Sequence, residues 1–194
     1  ILPWIHMHVD LEGESFPCCT RDDRATSFGS VKKQTLSEIW NGEAMRRFRL
    51  DLLNGKKRPE ICQGCYGCEK HEGRSQRTQH LRDFGHLIEK SIAATAADGS
   101  VPDARWAYVD FRISNVCNFK CRSCGPEHST RWLAELREAG LPMPKQVLSA
   151  SERQRILAFY MDNIDSLEKV YFAGGEPLMI KEHYELLERL CRSE

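Results

Sequence analysis

Cysteine spacing constrains this 194-residue chain more than any other feature. Disulfide scaffolds are typically short, secreted and rich in loops, whereas thiols grouped at short spacing in a reducing compartment typically bind metal ions or clusters. Cys191 stands alone within an apolar helical pattern, which predicts a buried side chain. The other eight cysteines form three groups: Cys18 with Cys19, Cys62 with Cys65 and Cys68, and Cys117 with Cys121 and Cys124.

Composition argues against several classes of protein. Lys and Arg together number 28, as do Asp and Glu, and 41% of the residues are hydrophobic. Balanced charge argues against a protein that coats nucleic acid or a membrane surface, and the apolar content argues against disorder. The sequence has no run of about 20 apolar residues that could span a bilayer, and it shows no secretory signal. We therefore expect a cytoplasmic protein, and because the chain begins with Ile1 we expect a piece of a longer one.

The second half of the chain has the pattern of an α/β protein. A strand at 106–113 and another at 170–173 are each followed by helical patterns, and a capping box beginning at Ser151 opens the helix between them. Alternation of strands and helices indicates a parallel sheet, and both strands are apolar enough that we expect them to be covered on both faces. The turn-rich run 98–103 predicts a boundary before this region. We predict three parts: a small domain at 1–73, a helical linker at 74–103 and an α/β domain at 104–194.

The first part of the chain predicts a small α+β domain, made of a hairpin and helices. Residues 4–18 alternate apolar and polar side chains as a hairpin does, with His6 and His8 on its polar face. A capping box at Thr35 predicts the start of a helix. We expect the second cysteine group to lie in a glycine-containing loop at 60–72.

The third cysteine group has the spacing C-x3-C-x2-C and follows the strand at 106–113. A structural zinc ion takes four protein ligands, whereas three thiolates on a [4Fe–4S] cluster leave one iron free to bind a small molecule. The group would lie at the carboxyl end of a strand, where α/β sheets place their active sites. Gly174, Gly175, Glu176 and Pro177 follow the next strand, and glycines let a backbone approach a ligand closely.

These two motifs resemble those of the radical S-adenosylmethionine (SAM) enzymes. The resemblance implies that Cys117, Cys121 and Cys124 ligate a [4Fe–4S] cluster at the start of a partial (β/α) barrel, here truncated. It implies reductive cleavage of SAM to a 5′-deoxyadenosyl radical, which abstracts hydrogen from a peptide or small-molecule substrate. A flavodoxin-like or ferredoxin-like protein would donate the electron, and the resemblance assigns no catalytic side chain.

The same resemblance implies SAM contacts after the second strand and within the cysteine loop. In the family the motif Gly-Gly-Glu-Pro contacts the methionine amino group, which assigns Gly174, Gly175 and Glu176 as cofactor-binding residues. The residue before the third cysteine is often aromatic and packs near the adenine. Ser123 occupies that position here.

The first domain resembles the twitch and SPASM modules that accompany radical SAM barrels, which hold an auxiliary [4Fe–4S] cluster. Cys18, Cys62 and Cys65 match ligand positions of these modules, and Cys68 is an additional candidate. A further ligand of the twitch form would fall at or before Ile1, or Cys19 or Cys68 would replace it. The matching stretch comprises Pro3-Trp4-Ile5-His6, Gly13, Pro17-Cys18-Cys19, Phe28-Gly29, Leu36-x2-Ile39-Trp40 and Cys62-x2-Cys65.

An alternative interpretation is a non-enzymatic zinc-binding module that contacts nucleic acid or a partner protein. Its contact surface would be the basic cluster between Arg46 and Arg58, although a solvated helix face explains that cluster better. The glycine-rich turn at 174–177 favours the radical SAM interpretation, because a zinc module would not need it. Two strand–helix units are fewer than a complete barrel contains, so we do not expect this chain to turn over alone.

Overall fold

The structure is a computed structural model that describes residues 1–20, 27–143 and 147–192. The chain forms two compact units. The first comprises Ile1–His8 and Glu14–Tyr108, and the second comprises Val9–Gly13 and the chain from Val109 onward. Among the described residues no helix is long and apolar enough to cross a membrane.

The first unit is mainly helical, with a small sheet near its start. Strands β1–β3 form one sheet in the order β1-β2-β3, and β2 pairs antiparallel with β3, with Glu14 opposite Ser30. Its elements are α1 (Leu2–Ile5), β1 (His8–Val9), β2 (Glu14–Phe16), β3 (Gly29–Ser30), α2 (Leu36–Trp40), α3 (Glu43–Leu53), α4 (Pro59–Glu72), α5 (Gln76–Asp83) and α6 (Ile88–Ala93).

The predicted hairpin is shorter than expected, and its histidines are not exposed. A short helix, α1, occupies residues that we expected in the first strand. His6 and His8 are only 1% and 3% exposed. The His6 ring stacks on Tyr108, and its Nδ1 lies 3.1 Å from the Tyr108 carbonyl oxygen. The prediction of a polar face was therefore wrong, because both sides of this segment are covered.

Helix α4 replaces the loop that we expected around the second cysteine group. Pro59 is at the first turn, where its fixed φ suits a helix and its missing N–H costs nothing. Gly73 ends the helix in the left-handed conformation, with φ 66°. The cysteines at 62, 65 and 68 are therefore held on a helix rather than in a flexible loop. In contrast, the capping box at Thr35 is confirmed, with Glu38 as its partner.

The core of the first unit includes one buried cation. Arg49 is fully buried, and its Nε donates a hydrogen bond to the Pro3 carbonyl oxygen at 2.7 Å. Its Nη1 donates to the Gly99 carbonyl oxygen at 3.2 Å. Interpreting the basic cluster as a uniformly solvated face was therefore wrong at this position. One hydrophobic cluster of this unit contains Trp4, Ile5, Phe84, Leu87, Val101, Ala107 and Tyr108.

The second unit is a mixed α/β arrangement, and no barrel is present in the part of the chain that the structure describes. Its two-stranded sheet pairs β4 with β5. The Ala173 amide donates to the Phe111 carbonyl oxygen at 3.1 Å, and later pairs advance in the same direction along both segments, so the strands are parallel. Its elements are β4 (Tyr108–Phe111), α7 (Leu133–Glu138), α8 (Ala150–Asp162), β5 (Lys169–Phe172) and α9 (Lys181–Cys191).

Three local predictions for the second unit were wrong. The capping box of α8 uses Ser149 and Glu152 rather than Ser151, so the helix begins two residues earlier. Strand β5 alternates between exposed and half-buried residues instead of being covered on both faces. Cys191 is exposed at the end of α9 rather than buried.

Candidate metal centres

A cavity of about 300 Å³ in the first unit is lined by cysteines of two groups. Cys62 and Cys65 project from α4 three residues apart, which places them on neighbouring positions of one helix side. Cys18 and Cys19 reach the same cavity from the segment after β2. Cys68 is exposed and lies outside the residues that line the cavity.

Thr20 connects the two cysteine groups. Its hydroxyl oxygen lies 3.6 Å from the Cys18 sulfur and 4.0 Å from the Cys65 sulfur. One hydroxyl can therefore contact both sulfurs, which places them on the same side of the cavity. Cys19 lines the cavity but is exposed, as expected for one of two adjacent residues whose side chains diverge.

Several cysteines line this cavity, a set of donors that suits an iron–sulfur cluster. Across residues 1–20, 27–143 and 147–192, no three Cys, His, Asp or Glu side chains form a group that could hold one metal ion. The four ligands of a zinc ion converge on one point at about 2.3 Å for sulfur. In an iron–sulfur cluster each thiolate binds its own iron, so the sulfurs surround a larger volume. Cys18, Cys62 and Cys65 all line the cavity.

The third cysteine group lies in the loop after β4. The Phe119 amide donates a hydrogen bond to the Cys117 sulfur at 3.4 Å, and the Cys124 amide donates to the Cys121 carbonyl oxygen at 3.0 Å. Cys117 and Cys124 are half-buried, whereas Cys121 is exposed. Ser123 lies in the exposed part of the same turn. The two backbone hydrogen bonds help to hold the shape of the cysteine loop.

The glycine motif lies directly against this cysteine loop. The Gly175 amide donates to the Ser114 carbonyl oxygen at 2.8 Å, and the Glu176 amide donates to the Val116 carbonyl oxygen at 2.8 Å. A Cβ added at Gly175 would lie 2.1 Å from the Val116 carbonyl oxygen. Backbone packing therefore requires a glycine at this position. The sequence by itself explains the glycines only by close approach to a ligand.

The other two residues of the motif also have roles in the local backbone. Gly174 has φ 112°, a conformation that other residues rarely adopt, and a Cβ there would lie 2.5 Å from the Ser114 carbonyl oxygen. The Glu176 carboxylate accepts a hydrogen bond from the Leu178 amide at 3.1 Å and caps the 3₁₀ turn Pro177–Met179. These contacts fix the shape of the turn that follows β5.

Comparison with known proteins bears first on the cavity of the first unit. Residues 1–69 match the SPASM family, an iron–sulfur cluster-binding domain. The match confirms the predicted resemblance to a SPASM module and supports iron–sulfur cluster binding by this segment, called the SPASM segment below. It includes Cys18, Cys62 and Cys65.

Three curated relatives of part of the chain are GTP 3′,8-cyclases of Actinobacillus pleuropneumoniae. The protein of serotype 3 (strain JL03) is 32% identical over 87 residues. Those of serotype 7 (strain AP76) and serotype 5b (strain L20) are 31% identical over the same length. Each match covers 43% of this chain and only 22% of the relative, so the similarity to this radical SAM enzyme is distant and partial. No solved structure gives a significant match.

The electrostatics of the SPASM segment couple its thiols. Burial, together with the charges of the neighbouring Cys18 and Cys65, raises the pKa of Cys62 to about 11. Since a metal-bound cysteine must be a thiolate, loading this site would release a proton from Cys62.

Sequence reasoning missed Tyr66 as a residue of this site. Tyr66 lines the same cavity as Cys62, and its neighbouring side chain lowers the pKa of Cys62, which opposes part of the burial effect. The signal was the spacing of four residues, which brings two side chains together only on a helix. Because we expected a loop at 60–72, the four-residue spacing of Cys62 and Tyr66 did not predict a contact between them.

Proposed function

We propose that this chain is part of a radical SAM protein with two iron–sulfur sites. Cys117, Cys121 and Cys124 would hold the [4Fe–4S] cluster that binds SAM. Cys18, Cys62 and Cys65 of the SPASM segment would hold an auxiliary cluster. When bound, the first cluster supplies the electron that cleaves SAM reductively, and the resulting radical abstracts hydrogen from a peptide or small-molecule substrate.

The observation that carries this proposal is the pairing of the two motifs. The residue before Cys117 accepts a hydrogen bond from Glu176, so the third cysteine group and the glycine motif are joined by backbone contacts. Both lie at the carboxyl ends of adjacent parallel strands, where α/β folds bind ligands. A zinc-binding module has no need of such a paired edge.

The chain's own residues would prepare the site in specific ways. The amide of Phe119 donates a hydrogen bond to the Cys117 sulfur and so helps to orient it. The Gly174 and Gly175 backbone holds the turn against the cysteine loop, and Glu176 supplies a carboxylate suited to an ammonium group. Because Cys121 is exposed, a small electron-transfer protein of the flavodoxin or ferredoxin type could approach the site from its side.

The proposal is tested on the whole chain after anaerobic reconstitution with iron and sulfide. We expect a brown protein with two clusters, and the electron paramagnetic resonance (EPR) spectrum of the reduced protein should change when SAM is added. Cys121→Ala should remove that SAM-dependent change, whereas Cys65→Ala should preserve it. A colourless protein with stoichiometric zinc and no iron would refute both sites.

A further inference from the structure

The cavity of the first unit is lined by the phenol of Tyr66 and the guanidinium of Arg77 as well as by Cys62. Tyr66 follows Cys62 by four residues on α4, so the two side chains share one side of the helix. Both residues line the cavity, and the Tyr66 side chain is close enough to that of Cys62 to affect its thiol. Arg77, from α5, lines the same cavity.

Contacts on two sides hold Arg77 in place. Its Nε donates to one carboxylate oxygen of Glu69 at 2.9 Å, and its Nη2 donates to the other. Its guanidinium carbon lies 5.6 Å from the centroid of the Tyr66 ring. The Ser75 hydroxyl donates to Glu69 as well, at 2.5 Å, so the carboxylate is itself fixed. A two-point arginine–carboxylate contact orients the guanidinium plane as well as its charge.

We propose that Tyr66 and Arg77 raise the reduction potential of an iron–sulfur cluster held by Cys18, Cys62 and Cys65. This inference rests on the auxiliary cluster proposed above. Neither residue would bind iron, and neither takes part in bond making or breaking.

The direction of the effect follows from charge. Reduction adds one electron from an external reductant, such as dithionite, to the cluster and breaks no bond, so the cluster becomes more negative by one unit. A hydrogen bond to a cluster sulfur and a nearby cation both stabilise that added charge. The Arg77 side chain is 43% exposed, so water and salt screen part of its effect. The half-buried Tyr66 contact is less accessible to screening.

The test uses the full 194-residue chain in which Cys117, Cys121 and Cys124 are all replaced by alanine, so that only the auxiliary cluster can form. After anaerobic reconstitution, its midpoint potential is measured by redox titration followed by EPR spectroscopy. Three substitutions are compared in this background: Tyr66→Phe, Arg77→Gln and Arg77→Lys. Arg82→Gln is the matched control, because Arg82 is on the same helix, is exposed and lies outside the cavity lining.

Tyr66→Phe and Arg77→Gln should each lower the midpoint potential. At a fixed applied potential the reduced-to-oxidised ratio should fall about threefold. This corresponds to a shift of about 30 mV in the midpoint potential, because a tenfold change equals 59 mV for a one-electron couple. Arg77→Lys should retain most of the parent potential, and Arg82→Gln should leave it unchanged. The Arg77→Gln effect should shrink in high salt.

Two results would overturn the inference in distinguishable ways. If the iron content and EPR spectrum show an intact cluster, but both variants keep the parent potential, then Tyr66 and Arg77 do not tune it. If no cluster assembles in the triple-alanine chain, the proposed auxiliary site is wrong and the inference fails with it. Iron content measured for each variant separates a change in potential from a loss of cluster.

Discussion

Replacing Gly175 with alanine should disrupt the contact between the cysteine loop and the turn after β5. The added Cβ would lie 2.1 Å from the Val116 carbonyl oxygen and 2.7 Å from the Asn115 carbonyl carbon. Both neighbours are backbone atoms, so no side chain can rotate to make room. Unlike Gly174, Gly175 does not have a positive φ, so the strain arises from the close approach alone.

The magnitude follows from the bonds that the displacement would break. Ordinary contact begins at 3.4 Å, so the two segments must separate by more than about 1 Å. The hydrogen bonds from Gly175 to Ser114 and from Glu176 to Val116, both 2.8 Å, would then be lost. Two backbone bonds at about 0.5–1.5 kcal/mol each, with about 1–3 kcal/mol for overpacking, predict a loss of about 2–6 kcal/mol.

The assay combines urea unfolding with hydrogen exchange. Mass spectrometry of a peptide covering 174–179 reports on the Glu176 amide, which should exchange faster in Gly175→Ala. Gly67→Ala is the matched control, because a Cβ at that position in α4 meets nothing within 4 Å. That control should be neutral or stabilising by up to about 1 kcal/mol, as expected for alanine replacing glycine in a helix. Unchanged protection and stability in Gly175→Ala would refute the packing argument.

Three further perturbations test other parts of the molecule. Arg49→Met removes a buried guanidinium that joins separate segments by hydrogen bonds, and should lower the unfolding free energy by about 2–4 kcal/mol in urea titrations. Cys62→Ser should reduce the iron bound after reconstitution, measured by elemental analysis, whereas Cys68→Ser should not. Burial alone would raise the pKa of Glu182, but the hydrogen bond and charge pairing with Arg153 outweigh burial and bring the pKa below the usual 4.5. The pair therefore stabilises the fold above about pH 4.5, by about 1–2 kcal/mol, and is lost as the pH falls through the lowered pKa. In acid titrations Glu182→Gln should show less of that loss.

The cysteine pattern indicated candidate ligands but not the backbone that supports them. The grouping of Cys62 and Cys65 with Cys18 came from the resemblance to SPASM modules, and all three line one cavity of the structure. The loop expected at 60–72 depended on local propensity, because Gly64 and Gly67 weaken a helix. Helix α4 forms nonetheless, with Pro59 in its first turn and Ile61 buried, so packing outweighed propensity.

The period-two pattern at 4–18 predicted exposure wrongly, because both sides of that segment are covered. The alternation at 4–18 correctly indicated a turn with strands around it, but alternation alone does not show that the polar side faces water. His6 is buried because Tyr108, about a hundred residues later in the chain, stacks on its ring. A contact at that sequence separation leaves no local pattern. The burial of Arg49 left no local pattern for the same reason. Two of its hydrogen-bond acceptors are the backbone carbonyl groups of Pro3 and Gly99, which are distant in the chain.

The two candidate sites are supported by different kinds of interaction, and this determines which substitutions affect each. In the second unit, backbone hydrogen bonds and two glycines fix the cysteine loop, so added side-chain volume is the sensitive perturbation there. In the first unit, a helix fixes Cys62 and Cys65, and the contacts among Glu69, Arg77 and Tyr66 set the charge around them. Changes of charge at constant shape should therefore alter the properties of that site without unfolding it. Comparing Gly175→Ala with Arg77→Gln separates the two effects, because the first should act on stability and the second on potential.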